Sequence, residues 1–197
     1  MSSISKIDAA RRQMLAAIHI HWYLDEPLAV YTLAANCWEI SDALLSRSGS
    51  LRMMDQFMIA HGKPAKDFRD RLNGPRNFLK HADRDPDAVI PELADDDCDS
   101  TLAVACLDYM VASGRSPYVL GLFLIWFASI YPTKTGDFLR PEAEGLFPGL
   151  SAKPRKDQID AARAAATKWG KSALMADAKN ELTDNSRWTK LRNAWAT

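Results

Sequence analysis

The stretch AVYTLAANCWEISDALL, residues 29–45, decides the fold class. Val30, Leu33, Cys37, Ile40 and Leu44 step by three and four. Ala34, Ser41 and Leu45 widen that stripe into the face an α-helix buries against a core. Asp25-Glu26-Pro27 opens the helix, because proline suits the first helical turn and acids favour the positive end of the helix dipole. Ser48-Gly49-Ser50 closes it, the glycine supplying the C-terminal cap and a serine the next N-cap.

Working outward, the same period recurs on both sides. Ser5 with Asp8 three residues on forms a capping pattern, and Ile7, Met14, Leu15, Ile18 and Trp22 carry a helix to about Leu24. Leu51, Met54, Phe57 and Met58 carry another to His61-Gly62, and a further turn or two with Phe68 and Leu72 ends at Asn73-Gly74. Pro75 is read as opening a short helix from Arg76 to about Asp83, before the loop Asp85-Pro86-Asp87. Residues 88–97, with Pro91 inside, read as irregular. Asp99 or Ser100 caps a helix from Thr101 to Ser113, stopped by Gly114; Pro117 starts an apolar helix that Pro132 ends. Three further prolines and three glycines make 133–154 mostly loop. Helices are expected from Arg155 to about Asn180 and from Asn185 or Ser186 to Trp195. No stretch alternates apolar and polar residues as a strand would. The chain therefore reads as all-α, a bundle of five to seven helices centred on residues 29–45 and on the run after Pro117. Its expected organisation is a bundle over 1–132, a loop-rich connection over 133–154, and C-terminal helices over 155–197 packing on the same domain.

Composition narrows the function classes. With 197 residues, 47% apolar and 25% charged, the chain has material for a packed domain and is not wholly disordered. The longest apolar run, Tyr118 to Tyr131, is 14 residues, against the roughly 20 that span a bilayer, so it reads as a buried helix. The N-terminus lacks the apolar core of a secretory signal, and Cys37, Cys98 and Cys106 form no CxxC pair. The expectation is a cytoplasmic protein with no membrane segment, no zinc or disulfide framework, no metal and no cofactor.

The 25 basic and 25 acidic residues cancel overall but not locally. Lys63, Lys66, Arg69, Arg71, Arg76, Lys80 and Arg84 face only Asp67, Asp70 and Asp83, whereas Glu92 to Asp99 holds five acids and no base. Inside the basic segment lies Gly74-Pro75-Arg76-Asn77-Phe78-Leu79-Lys80-His81-Ala82-Asp83. On a helix Asn77 and His81, four apart, share a face, so the amide has access to an imidazole nitrogen and fixes its tautomer. Arg76 and His81, five apart, diverge by about 140°. With Pro75 at a helix start, the free N–H groups of a first turn would favour a phosphate here. The plainer reading has His81 ending a short helix and Arg76 paired to Asp70 or Asp83.

This R-N-x3-H arrangement resembles the signature of HEPN domains, small α-helical nucleotide-binding and ribonuclease domains. The resemblance extends loosely over residues 5–131, where the helix 29–45 carries a polar Glu39 in an apolar setting. It implies an HEPN-like core with a C-terminal helical extension, and a metal-independent endoribonuclease or an RNA- or nucleotide-binding protein, of toxin or defence type. It implies Arg76, Asn77 and His81 as the catalytic set: His81 moving a proton at the ribose 2′-hydroxyl or leaving oxygen, Arg76 holding the scissile phosphate, Asn77 orienting His81. Lys80, Arg84 and Arg71 would meet the nucleic acid, and a homodimer would bring two copies together in a composite site. Asp83 stands where one large HEPN group carries a tyrosine; its carboxylate favours imidazolium and repels phosphate unless Arg84 neutralises it.

Other patterns point elsewhere. His19 and His21, two apart on a helix, face different ways and make a poor metal pair. His61 before Gly62 reads as a helix C-terminal residue. Trp188, Leu191 and Trp195 fall at packing intervals, although tryptophans beside Arg187 and Arg192 also suit base stacking. The alternative to an RNA enzyme is a non-catalytic helical module that binds a ligand or protein beside Phe123, Trp126, Phe127 and Tyr131.

Overall fold

A computed structural model describes residues 3–81 and 83–168. The expected helix from Asn185 or Ser186, the C-terminal part of the one from Arg155, and the Trp188, Leu191 and Trp195 stripe lie outside these residues. The protein is all-helical. Its order is α1 (Lys6–Tyr23), α2 (Pro27–Ser48), α3 (Met53–His61), α4 (Ala65–Lys80), α5 (Asp95–Ser113), α6 (Tyr118–Ile130), α7 (Pro132–Thr135), α8 (Arg140–Leu146) and α9 (Arg155–Lys168), with a 3-10 turn at Leu150–Ala152. Among the described residues no helix is long and apolar enough to cross a membrane. The described residues divide into two compact units, one within residues 3–20 and 26–113, the other within residues 21–25 and 114–168.

In the first unit the cap of α1 and the glycine stop of α2 form as read, whereas α3 has Arg52 and not a serine at its N-cap. Asp8 N–H donates to Ser5 Oγ at 3.1 Å while Ser5 Oγ–H donates to Asp8 at 2.7 Å, a capping box at the start of α1. Gly49 ends α2 with φ 69°, its N–H reaching the Leu45 and Ser46 carbonyls. The buried stripe of α2 is rotated from the expected one. Tyr31, Ala35 and Trp38 are buried with Val30, Ala34, Cys37, Ser41 and Leu45, whereas Leu33, Ile40 and Leu44 are only half-buried. The cause is two partners: α2 packs along α5 and also against α4, so its covered face is broad. Small residues at Ala34, Ala35 and Ser41 let those helices approach. Helix α5 is as central as α2, burying residues around most of its circumference, from Cys98 and Leu102 to Asp108 and Tyr109. It also begins earlier than expected, with Asp95, Asp96 and Asp97 in its first turn, where carboxylates suit the dipole.

Helix α4 corrects the sequence reading. It runs unbroken through Asn73-Gly74-Pro75, so Pro75 sits inside it and does not open a new helix. Proline has no N–H, which leaves the Arg71 carbonyl without its helical donor. Tyr31 on α2 supplies one: its hydroxyl donates to the Arg71 carbonyl at 3.0 Å and to that of Leu72 at 3.2 Å. A tertiary hydrogen bond thus repairs a local break. Phe68 and Leu72 bury on the same side of α4, Phe68 edge-on to Trp38 with centroids 5.9 Å apart.

In the second unit α6 is buried on nearly every side, and α8, α9 and the 3-10 turn pack on it. Trp126 donates its indole N–H to the Gln158 carbonyl at 2.8 Å, and its ring lies 5.1 Å from the Arg155 guanidinium. Trp22 and Phe123 complete this aromatic cluster. The segment read as mostly loop contains α7, α8 and the 3-10 turn, elements too short to show a helical period in the sequence.

Candidate functional site

The R-N-x3-H segment occupies the last turns of α4, not a first turn. His81 is the C-terminal cap, its N–H donating to the Asn77 carbonyl at 3.0 Å. The free groups at this end are carbonyls, so the helix dipole offers an anion nothing and the side chains must do so.

The structure separates the motif into two environments. Arg76 is 7% exposed and turned onto α2. Its Nε–H donates to Asn36 Oδ1 at 2.9 Å and its Nη2 pairs with the Glu39 carboxylate, itself 56% exposed. Neither Asp70 nor Asp83 is its partner: Asp70 pairs with Lys66 at 3.3 Å. Asn77 and His81, as their spacing predicts, line one cavity of about 410 Å³ together with Gly74, Phe78, Arg84, Asp85, Ala88 and Ile90. Arg76 is not in that lining.

Two successive turns bring the later residues back to the helix end. The His81 carbonyl accepts from the N–H groups of Arg84 at 2.8 Å and Asp85 at 3.3 Å, and the Asp85 carbonyl accepts from Ala88 at 3.0 Å. Asn77, Arg84 and Asp85 are exposed; Phe78, His81 and Ile90 are half-buried. Lys80 is exposed at the end of α4 and does not line the cavity. Arg71 is 73% exposed and lies 3.8 Å from Asp97, a loose pair across the basic and acidic segments. The arrangement thus joins an imidazole, an amide, a guanidinium and a carboxylate at one open, partly apolar hollow. Such a set suits an anionic group attached to a flat organic body.

Sequence reasoning missed Asp85, Phe78 and Ile90 as cavity residues, and Asn36 and Glu39 as the partners of Arg76. The visible signals were the Asp85-Pro86 turn and Glu39 beside the apolar stripe of its helix.

A second cluster of ionisable groups shares no residue with the cavity. Asp108, 1% exposed on α5, accepts the Met53 N–H at 2.8 Å and so caps α3 from a neighbouring helix. Burial pushes its carboxyl up to about 6, helped by the Asp42 carboxylate, while the Met53 N–H, the Trp38 indole and Arg52 oppose the rise. Burial likewise raises Asp42, against the nearby Arg52 and Arg69. Arg52 makes a bidentate pair with Asp55, at 2.9 and 2.7 Å, that holds the Asp55 carboxyl low. Each of these groups serves the junction of α2, α3 and α5. The thiols are structural too: burial pushes Cys37 up to about 12 and Cys106 well above its ordinary value, which keeps both protonated and unreactive.

Among the other candidates, His19 is buried in the first unit and His21 in the second, where His21 packs edge-on to Trp126 at 5.7 Å. His61 ends α3 against Phe57, with ring centroids 4.7 Å apart. Of the aromatic residues of the alternative reading, Phe123, Trp126 and Phe127 are buried in the second unit and Tyr131 is half-buried. Among the described residues no group of three or more His, Cys, Asp or Glu side chains is placed to hold a metal ion. Compared with protein-family models, curated proteins and solved structures, the chain matches none.

Proposed function

We propose that this chain is an HEPN-like RNA-binding protein that cleaves RNA by internal transesterification at the end of α4. The observation that carries the reading is the shared cavity of Asn77, His81 and Arg84. An imidazole is the side chain best suited to take and give a proton near neutrality. His81 takes the proton of a ribose 2′-hydroxyl as its oxygen attacks the adjacent phosphorus. The bond from phosphorus to the 5′-oxygen breaks, that oxygen takes a proton from water, and the His81 imidazolium returns its proton to solvent. The products are a 2′,3′-cyclic phosphate and a 5′-hydroxyl, and no metal ion takes part. Arg84 meets the phosphate and its added transition-state charge with its donor fork. Asn77 holds the imidazole or a phosphate oxygen from the preceding turn.

Arg76 acts through the fold in this scheme. Its pairing with Asn36 and Glu39 sets the rotation of α4 and hence the direction of Asn77 and His81. Arg84 supplies from the same chain a cation that the family resemblance would draw from Arg76 or from a second copy. The homodimer remains part of the proposal, with light scattering expected to give twice the chain mass. Lys80 and Arg71 guide the strand by charge from outside the cavity. Cleavage of cellular RNA would suit a toxin or defence protein.

The test incubates purified protein with single-stranded RNA in excess chelator, beside His81→Ala. Wild-type protein is expected to leave cyclic-phosphate ends and His81→Ala to lose about a hundredfold or more in rate. Equal residual cleavage by the two ends the proposal.

A further inference from the structure

Resting on the RNA reading above, we propose that the cavity at the end of α4 selects a guanine base, and that Asp85 reads it. Asn77, His81 and Arg84 all offer donors, as a phosphate requires, but Asp85 in the same lining is a carboxylate. It repels a phosphate, and among the described residues neither it nor Arg84 has an ion-pair partner. An acceptor-only group left unpaired in a site for a polyanion calls for donors on the uncharged part of the ligand.

The four bases answer that call differently. Guanine presents two adjacent donors, N1–H and the 2-amino group, which match the two oxygens of one carboxylate. Adenine and cytosine each set a single amino group beside an acceptor nitrogen that the carboxylate would repel. Uracil sets its one N–H between two carbonyls. Asp85 therefore favours guanine, and only where its pairing edge is free, in single-stranded RNA. Phe78 and Ile90 give the base an apolar surface, and about 410 Å³ suits one nucleotide rather than a duplex.

Calorimetric titration of the full chain with GMP, IMP, AMP, CMP and UMP tests the assignment. GMP is expected to bind roughly tenfold or more tightly than AMP. IMP, which keeps N1–H and lacks the 2-amino group, should fall between them. In Asp85→Asn the ratio of GMP to AMP affinity should collapse towards one, because the amide turns a donor towards the base. The ratio is the readout, since loss of a negative charge raises affinity for every nucleotide. Asp85→Ala, in an exposed turn, should give the same collapse. Equal affinities in wild type, a ratio that survives both variants, or equal loss of cleavage on all RNAs in Asp85→Asn would overturn the proposal. Equal affinities alongside His81-dependent cleavage overturn the guanine assignment alone. No nucleotide binding and no cleavage overturn the RNA reading beneath it as well.

Discussion

Two faces of one helix put polar groups to opposite uses. On the side of α4 against α2, Arg76 is buried and engaged by Asn36 and Glu39, and the carbonyls beside Pro75 are satisfied by Tyr31. At the free end, Asn77, Arg84 and Asp85 are exposed around a hollow, and Arg84 and Asp85 have no ion pair among the described residues. The first set answers needs created by the fold: a missing N–H, a guanidinium that must not be left bare. The second answers no such need. Polar groups that the structure explains are poor evidence of function, and those it leaves unexplained are better evidence.

Alanine substitution of one residue from each set separates the two roles. His81→Ala should cost about a hundredfold or more in RNA cleavage while moving stability by less than about 0.5 kcal/mol. Arg76→Ala should show the reverse priority. It strips a buried guanidinium from its partners and leaves space against α2, for a loss of about 2 kcal/mol. That figure is below the usual cost of breaking a buried pair because Glu39 regains water. Urea denaturation and cleavage rates, measured on both variants, decide it. If Arg76→Ala denatures as wild type does yet loses cleavage like His81→Ala, the division between a packing face and a chemical face is wrong.

Asp108 extends the comparison to pH. Its carboxyl is raised from 3.8 to about 6 by burial, so the folded state holds the proton more tightly than the unfolded chain. The stability this confers is complete below about pH 4 and is lost as pH rises through about 6. The change amounts to about 3 kcal/mol between those limits. Asp42, raised for the same reason, adds to the fall, and Asp55, held low by Arg52, acts in the opposite sense. Asp108→Asn keeps an oxygen for the Met53 N–H and removes the titration. Thermal melts at intervals from pH 4 to 7 should show a flatter profile in the variant. A slope unchanged by the substitution would mean that another group governs it.

Long helices were readable because their caps and periods are local. The Ser5–Asp8 box, the Gly49 stop, and the proline starts of α2 and α6 are all decided within a few residues. What escaped reading was settled at a distance. Gly74-Pro75 has the local character of a break, and nothing near it shows that Tyr31, some forty positions earlier, supplies the missing donor. The same distance hid the partners of Arg76, since Asn36 and Glu39 lie about forty positions earlier on α2. The stripe of α2 was off by part of a turn because two helices cover it, and periodicity alone gives the direction of one. Of the candidate site, the shared face of Asn77 and His81 was legible from helix geometry. Asp85 was not, because its place depends on the turns after His81.

Tyr31→Phe tests the distant repair directly. Removing the hydroxyl leaves the Arg71 carbonyl without the Tyr31 donor and is expected to cost about 1 kcal/mol. The loss should be local. Amide exchange should quicken through the second half of α4, while α6 keeps its protection. Uniform quickening in both helices would show that Tyr31 serves general packing and that α4 carries its proline without help.

The smallest expected effect is also the one that separates Arg84 from the other cations. Arg84 lines the cavity, whereas Lys80 and Arg71 lie outside it, the latter beside Asp97. All three attract a polyanion at long range, so removing any one should weaken binding of single-stranded RNA at low salt. A cation in contact with a phosphate displaces a bound counterion, and for a single strand its removal lowers the slope of log affinity against log salt by about 0.7. Arg84→Ala should therefore flatten the salt dependence by about that amount and lower the cleavage rate. Lys80→Ala should shift affinity less and leave the rate at saturating RNA unchanged, because a charge that only steers does nothing once the strand is seated. Equal effects of the two variants on slope and rate would place the phosphate along the outer face of α4 and take it out of the cavity that His81 shares.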